Sequence, residues 1–329
     1  MYYSFFGLNR NPFGMAPDPE FLFLTGRHRE AIAGLTYAIT ERKGFLVLSG
    51  QAGTGKTTVL NWTMSRLSGT KVAVSVILNP MLTPNEFLEA AMLGFGIQEI
   101  PNSRPRCFLK LEKFLREIAE TGSAAALIVD EAHKLTPELL EEIRLMGNYD
   151  HGGEKLLQIL LIGQSEIDEL LNRPDLRQLK QRVCVHLTVE PLDRVELDFY
   201  IRHRWKKAGG QDAPFTPEVR DRVFYWSGGI PRLVNALSDN ALILAFADNE
   251  RTLRVEYIDS VAKDLQLVPI HDGNAGPQSG AESKAAAPDA SPEIAGPVTP
   301  VRLMTLERYE KTKKSAPFFM RLVGKRSLA

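Results

Sequence analysis

The octapeptide Gly50-Gln51-Ala52-Gly53-Thr54-Gly55-Lys56-Thr57 constrains this chain more than any other feature. It fits the pattern G-x-x-x-x-G-K-[ST]. It follows a glycine-bounded apolar run, GFLVLS over residues 44–49, and opens a stretch of helical spacing, TTVLNWTMSRL. A buried strand, a glycine-rich turn and a helix N-terminus in that order form a phosphate cradle. The glycines let backbone amides wrap phosphate oxygens, and the helix start adds free N–H groups and a partial positive charge. Lys56 is expected to reach the β- and γ-phosphates and the Thr57 hydroxyl to ligate Mg²⁺. Residues Gly50 through Thr58 are therefore taken as the nucleotide-binding segment, with ATP and Mg²⁺ as the expected cofactors.

Around this loop the chain alternates strand-like and helix-like pieces. Residues 44–49, 72–78, 124–129, 156–162 and 183–187 read as strands. Residues 29–42, 57–67, 84–94, 108–120 and 137–146 have helical spacing. Strands alternating with helices imply a parallel sheet covered on both faces, so a three-layer αβα domain of α/β class is expected over 28–190. After Pro191 the strand signals stop. Four helix candidates, 194–208, 217–227, 231–247 and 255–265, predict a small all-helical lid domain over 191–267. Residues 1–27 are rich in aromatics, Pro and Gly and are expected to form an ordered arm on a domain surface. Residues 268–300 are rich in Ala, Gly, Pro and Ser and hold no aromatic residue. Such a segment has too little to bury and is expected to be a disordered linker. Residues 301–329 form a separate basic tail.

The second half of a phosphate-handling site should be an acid ending a buried strand. The segment Ala125-Ala126-Leu127-Ile128-Val129-Asp130-Glu131 supplies it. Asp130 is placed to hold the Mg²⁺ shell and Glu131 to orient and polarise the attacking water. Residues 130–133 also spell the DEAH box of a helicase class. Those enzymes need a second ATPase-like lobe, for which there is no room after residue 190. His133 is read as a loop residue near the site.

A phosphate loop, an Asp-Glu strand and a following helical domain resemble an AAA+ P-loop ATPase. The resemblance implies further site residues. Gln164, after the apolar strand LQILLIG, matches the polar sensor-1 residue. Arg232, in Gly228-Gly229-Ile230-Pro231-Arg232, matches the sensor-2 arginine of the lid. Arg182, in Leu179-Lys180-Gln181-Arg182, lies where many members carry an arginine finger for the neighbouring subunit, with Arg177 as its rival. Arg204 receives no role. The segments MYYSFFGLNRNPFGMAPDPEFLFLTGRHREAIAGLTYAI, GQAGTGKTT, LIVDEAHKL, LLIGQSEIDELL, LKQRV and GGIPRLVN together look like the ExeA/GspA group of secretion-associated AAA+ ATPases, over roughly residues 1–266. In that group the arm and the helix at 28–38 adjoin the adenine. Its better-known members continue through a transmembrane helix into a peptidoglycan-binding domain, a plan from which this chain is expected to depart.

Charge narrows the possible partners. The chain has 329 residues, 40 basic and 40 acidic, and a formal net charge of zero, which excludes a globally basic nucleic-acid binder. The sum hides an asymmetry, because residues 301–329 carry eight basic and two acidic side chains, leaving 1–300 at −6. Phe318 and Phe319 among Lys313, Lys314, Arg321, Lys325 and Arg326 could dock on an anionic membrane or on a partner protein. Contact with nucleic acid is a weaker option. Cys107 and Cys184 stand in no metal or redox spacing. The N-terminus shows no leader pattern, and apolar runs fall far short of the ~20 residues of a membrane span. A cytoplasmic protein is expected, at most peripheral to the inner face of the membrane. The leading expectation is an oligomeric, ring-forming ATPase that assembles or remodels a secretion, pilus or envelope-export machine. The alternatives are an ATP-dependent DNA-binding regulator of transposition and a non-hydrolysing nucleotide switch.

Overall fold

The structure is a computed structural model that describes residues 2–16, 18–68 and 70–269. The basic tail and all of the linker after Pro269 lie outside the described residues. The described chain forms two compact units. One comprises residues 30–50 and 56–189. The other comprises residues up to 29, residues 51–55 and the chain from 190 onward.

The first unit is built on a five-stranded parallel sheet. Its strands are β1 (Phe45–Ser49), β2 (Val72–Ile77), β3 (Ala124–Val129), β4 (Leu157–Ile162) and β5 (Val183–Thr188), in the order β2-β3-β4-β1-β5. The three inner strands are buried at every residue, as expected of parallel strands covered on both faces. At the edge, β5 alternates between half-buried and exposed positions. Register aligns the carboxyl ends: Leu48 pairs with Ile162, Ile128 with Leu160 and Ile77 with Val129. The loops that follow β1, β3 and β4 therefore emerge side by side, where ligands bind in open parallel sheets.

Helices Pro84–Gly94 and Arg104–Glu120 bring Phe87, Met92, Leu111 and Leu115, all fully buried, into one core with Leu127 and Ile159. A capping box between Thr83 and Glu86 opens the first of these helices. The second begins four residues earlier than its spacing suggests. Pro105 sits in the first turn, where a missing N–H costs nothing. Gln158 is a buried polar residue in the inner sheet. Its Oε1 accepts from Gly44 N at 2.7 Å and its Nε2 donates to Lys155 O at 2.8 Å, so burial leaves neither group unpaired.

The second unit holds helices Arg194–Lys207, Pro217–Ser227, Pro231–Ala247 and Val255–Asp264. It corrects the expectation of an arm lying on a surface. Phe13 is fully buried, and Tyr2, Leu8 and Phe21 join Trp205, Phe215, Val234 and Leu237 in a single core. Four short helices enclose too little apolar surface by themselves, and the arm supplies the missing aromatic volume. Arg204, given no role from sequence, fastens it. The side chain is 8% exposed; Nε donates to Pro12 O at 2.5 Å, Nη2 to Gly14 O at 3.3 Å and Nη1 to Tyr200 Oη at 2.9 Å. Its guanidinium also lies over the Phe21 ring, 4.8 Å from the centroid. Among the described residues no helix is long and apolar enough to cross a membrane.

Candidate active site

Strand β1 ends at Ser49 and the next helix starts at Lys56, so residues 50–55 form the turn between them. Gly53 (φ +84°) and Gly55 (φ +110°) adopt backbone that side chains rarely tolerate, and space is short at both. A Cβ on Gly53 would lie 2.8 Å from Arg232 Cβ and 3.2 Å from Ile230 Cγ2. On Gly55 it would lie 3.0 Å from His28 Nε2. Thr54 is buried and ties the loop to itself through Oγ1, which donates to Gln51 O at 2.9 Å. Gln51, Ala52 and Thr57 are exposed, and Thr58 is half-buried.

Lys56 Nζ donates to Gly50 O at 2.7 Å, folding the side chain back along the loop. Burial pulls the ammonium below its usual pKa, while Asp130, Glu131 and Glu166 pull it back up. These acids lie near Lys56 because β4 ends beside β1 and β3 ends beside β4. Asp130 N donates to Ile77 O at 2.8 Å, and Asp130 Oδ1 accepts from Glu131 N at 2.8 Å. Burial raises the Asp130 pKa against that hydrogen bond. The half-buried Asp130 carboxylate and the exposed Thr57 hydroxyl are hard-oxygen donors of the kind Mg²⁺ takes. The residues fit the ion.

Glu131 stands at φ 54°, a left-handed backbone rare outside glycine and concentrated at functional sites. Lys134 Nζ sits 2.7 Å from its Oε2 and His133 Nε2 3.8 Å away. The Lys134 hydrogen bond holds the Glu131 carboxyl below its usual pKa. His133 also meets Gln164. Gln164 N donates to His133 Nδ1 at 3.3 Å, and the Gln164 carboxamide lies 3.3 Å from His133 Nε2. His133, read from sequence as a bystander, thus bridges the ends of β3 and β4.

Three arginines complete the predicted set. Arg232 is the second residue of the Pro231–Ala247 helix and packs on Gly53, within the same unit as the loop tip. Arg182 is engaged inside its own unit: Nη1 donates to Asn148 Oδ1 at 2.6 Å and to Arg144 O at 3.1 Å. Arg177 is exposed, and its guanidinium makes no hydrogen bond or ion pair among the described residues. The residue that sequence reasoning missed is His28, 5% exposed beneath the phosphate loop, with Nε2 3.3 Å from Thr54 O. Only its helical position was legible, since the contact spans 26 residues.

The family model described as AAA domain matches residues 39–171, which hold the loop, the acids and Gln164. Residues 39–171 are thus similar to AAA domains. The AAA domain lies within a longer similarity, 39% identity over 249 residues to General secretion pathway protein A of Aeromonas hydrophila. That covers 75% of this chain and 45% of the relative, so the chain matches less than half of its length. The fold recurs in the Aeropyrum pernix ORC2 protein, solved as ADPNP–ADP complexes. The TM-score is 0.57 at 18% identity, covering 78% of this chain and 72% of that one. It recurs again in Drosophila ORC bound to DNA, with a TM-score of 0.61 at 18% identity, covering 78% and 64%. The AAA domain thus has the P-loop NTPase fold expected from its sequence.

Proposed function

We propose that this AAA-type protein binds ATP and hydrolyses it, and that the cycle drives assembly or remodelling of a secretion, pilus or envelope-export machine. The observation that carries the chemical half is the convergence of Lys56, Asp130 and Glu131 in the segments that follow β1 and β3, the two strands flanking β4, coupled closely enough to perturb one another's protonation. Similarity to General secretion pathway protein A supports the choice of machine.

The residues divide the work. Backbone amides of Gly50 through Lys56 cradle the phosphates, Thr57 and Thr58 open the helix behind them, and Lys56 leaves Gly50 O to reach the terminal phosphates. Thr57 and Asp130 would hold Mg²⁺, which when bound supplies charge neutralisation at the phosphate oxygens. Glu131, whose carboxyl the Lys134 hydrogen bond holds below its usual pKa, orients the attacking water. Gln164 places its carboxamide beside the γ-phosphate, held by His133. Arg232, packed on Gly53 at the loop tip, neutralises phosphate charge there. For an arginine acting across a subunit boundary, the free guanidinium of Arg177 suits the role better than the engaged Arg182. Arginines acting in trans contribute roughly 10³-fold or more to phosphoryl transfer. That role implies a ring or other homo-oligomer in the cytoplasm.

Phosphate release and nucleotide binding test this reading. Lys56→Ala should bind no ATP. Glu131→Gln should bind it, release phosphate at least ~100-fold more slowly, and retain ATP-bound assemblies for affinity capture. Equal turnover in Glu131→Gln and wild type would remove Glu131 from the mechanism. Capture of transposition proteins instead of envelope components would overturn the choice of machine.

A further inference from the structure

His28 is buried under the phosphate loop and takes no part in the chemistry described above. Its surroundings fix both ring nitrogens. Thr25 N lies 3.3 Å and Thr25 Oγ1 2.8 Å from Nδ1, and Thr25 Oγ1 in turn accepts from His28 N at 3.3 Å. A backbone N–H can only donate, so Nδ1 is an acceptor and the ring proton resides on Nε2. That proton points to Thr54 O, 3.3 Å away. Burial lowers the His28 pKa, which keeps the ring neutral and this arrangement intact at neutral pH.

The consequence follows from peptide geometry. In a planar trans peptide the carbonyl and the following N–H point to opposite sides. With Thr54 C=O drawn down to His28, Gly55 N–H must point away from it, out of the loop's underside. Two glycine-dependent features lock this orientation. Gly55 sits at φ +110°, and a Cβ there would crowd Nε2 at 3.0 Å. The imidazole therefore fits only under a bare glycine whose amide faces the other way.

We infer that His28 is a positioning residue that presents the Gly55 amide to a nucleotide phosphate, through a hydrogen bond to the Thr54 carbonyl. The inference rests on the nucleotide-binding reading, and it explains why a polar ring is buried behind the loop where an apolar side chain would fill the same space. It also couples the arm to the loop, because Thr25 and His28 both belong to the segment entering the Gly26–Thr40 helix.

The test is ADP affinity, by titration of a fluorescent ADP, in wild type, His28→Leu, His28→Gln and Lys56→Ala. A hydrogen bond to a charged acceptor is expected to be lost in His28→Leu, weakening ADP about 10- to 100-fold. His28→Gln, whose amide N–H can take the place of Nε2–H, should recover affinity to within about threefold of wild type. A role in packing alone predicts no such rescue, so His28→Gln binding as weakly as His28→Leu would overturn the inference. Wild-type binding that is lost in Lys56→Ala but unchanged in His28→Leu would overturn it too, and leave the nucleotide reading standing. No ADP binding by wild type would sink both. Should His28→Leu fail to fold, His28→Asn, whose shorter amide cannot reach Thr54 O, replaces it and should weaken ADP in the same direction; unaltered affinity there refutes the role.

Discussion

Replacing Gly53 with alanine separates two costs that the loop imposes on any side chain. The first is backbone strain, since φ is +84°, for which a non-glycine residue loses roughly 1–2 kcal/mol. The second is steric. The new Cβ would sit 2.8 Å from Arg232 Cβ and 3.2 Å from Ile230 Cγ2, whereas unstrained carbons stay about 3.5–4.0 Å apart. Arg232 Cβ is fixed to the backbone and cannot swing aside, so the start of the Pro231–Ala247 helix must retreat. Overpacking of this kind costs about 1–3 kcal/mol, for a total near 2–5 kcal/mol. A control isolates the steric part. Gly153 has φ +86° and nothing within 4 Å of its hypothetical Cβ, so Gly153→Ala carries strain alone. Thermal unfolding measured on both variants should place Gly153→Ala about 2–8 °C below wild type and Gly53→Ala about 4–20 °C below it, given ~2–4 °C per kcal/mol at this size. Equal shifts in the two would refute the claim that the loop and Arg232 are in compressed contact.

Further outcomes follow from other sites. Arg204→Met keeps volume but strips the hydrogen bonds to Pro12 O, Gly14 O and Tyr200 Oη, and should destabilise by about 3–5 kcal/mol; a shift in the denaturant midpoint under a tenth of the total would show the arm to be held by its aromatics alone. Burial pushes Asp259 up, but hydrogen bonds from Arg222 at 2.5 and 2.9 Å and from Trp226 Nε1 at 2.7 Å outweigh it and leave its pKa lowered. The folded state therefore binds the proton less readily than the unfolded one, so this stabilisation is complete above the usual carboxylate pKa and fades as pH falls through the lower folded value. Asp259→Asn should flatten that acid limb in a pH series of unfolding midpoints, and an unchanged limb would count against the assignment. Arg177→Ala should lower turnover more than Arg182→Ala, with the former rescued by mixing in Lys56→Ala subunits that retain Arg177; a steeper loss in Arg182→Ala without unfolding would reverse the choice.

The strands were legible because parallel strands buried on both faces must be apolar throughout. GFLVLS, AAALIV and LQILLI could hardly be anything else between turns and helices. The phosphate loop and the Asp130-Glu131 pair were legible because their chemistry depends on contiguous residues. Other features depend on neighbours remote in sequence. Gln158 reads as a flaw in an apolar strand until Gly44 N and Lys155 O are brought against it. The arm's aromatics announce that something must cover them, yet not that the cover is the helical unit's own core.

The sequence by itself determined the element order, the α/β class and the residues we propose to handle phosphate, since local periodicity and contiguous motifs encode all three. Tertiary structure decided which side chains serve them. His28 lies under Thr54, His133 between Glu131 and Gln164, and Arg204 over the arm, because each acts through hydrogen bonds to groups that only folding brings within reach. A side chain's type states what it can donate or accept; only the fold supplies the partner.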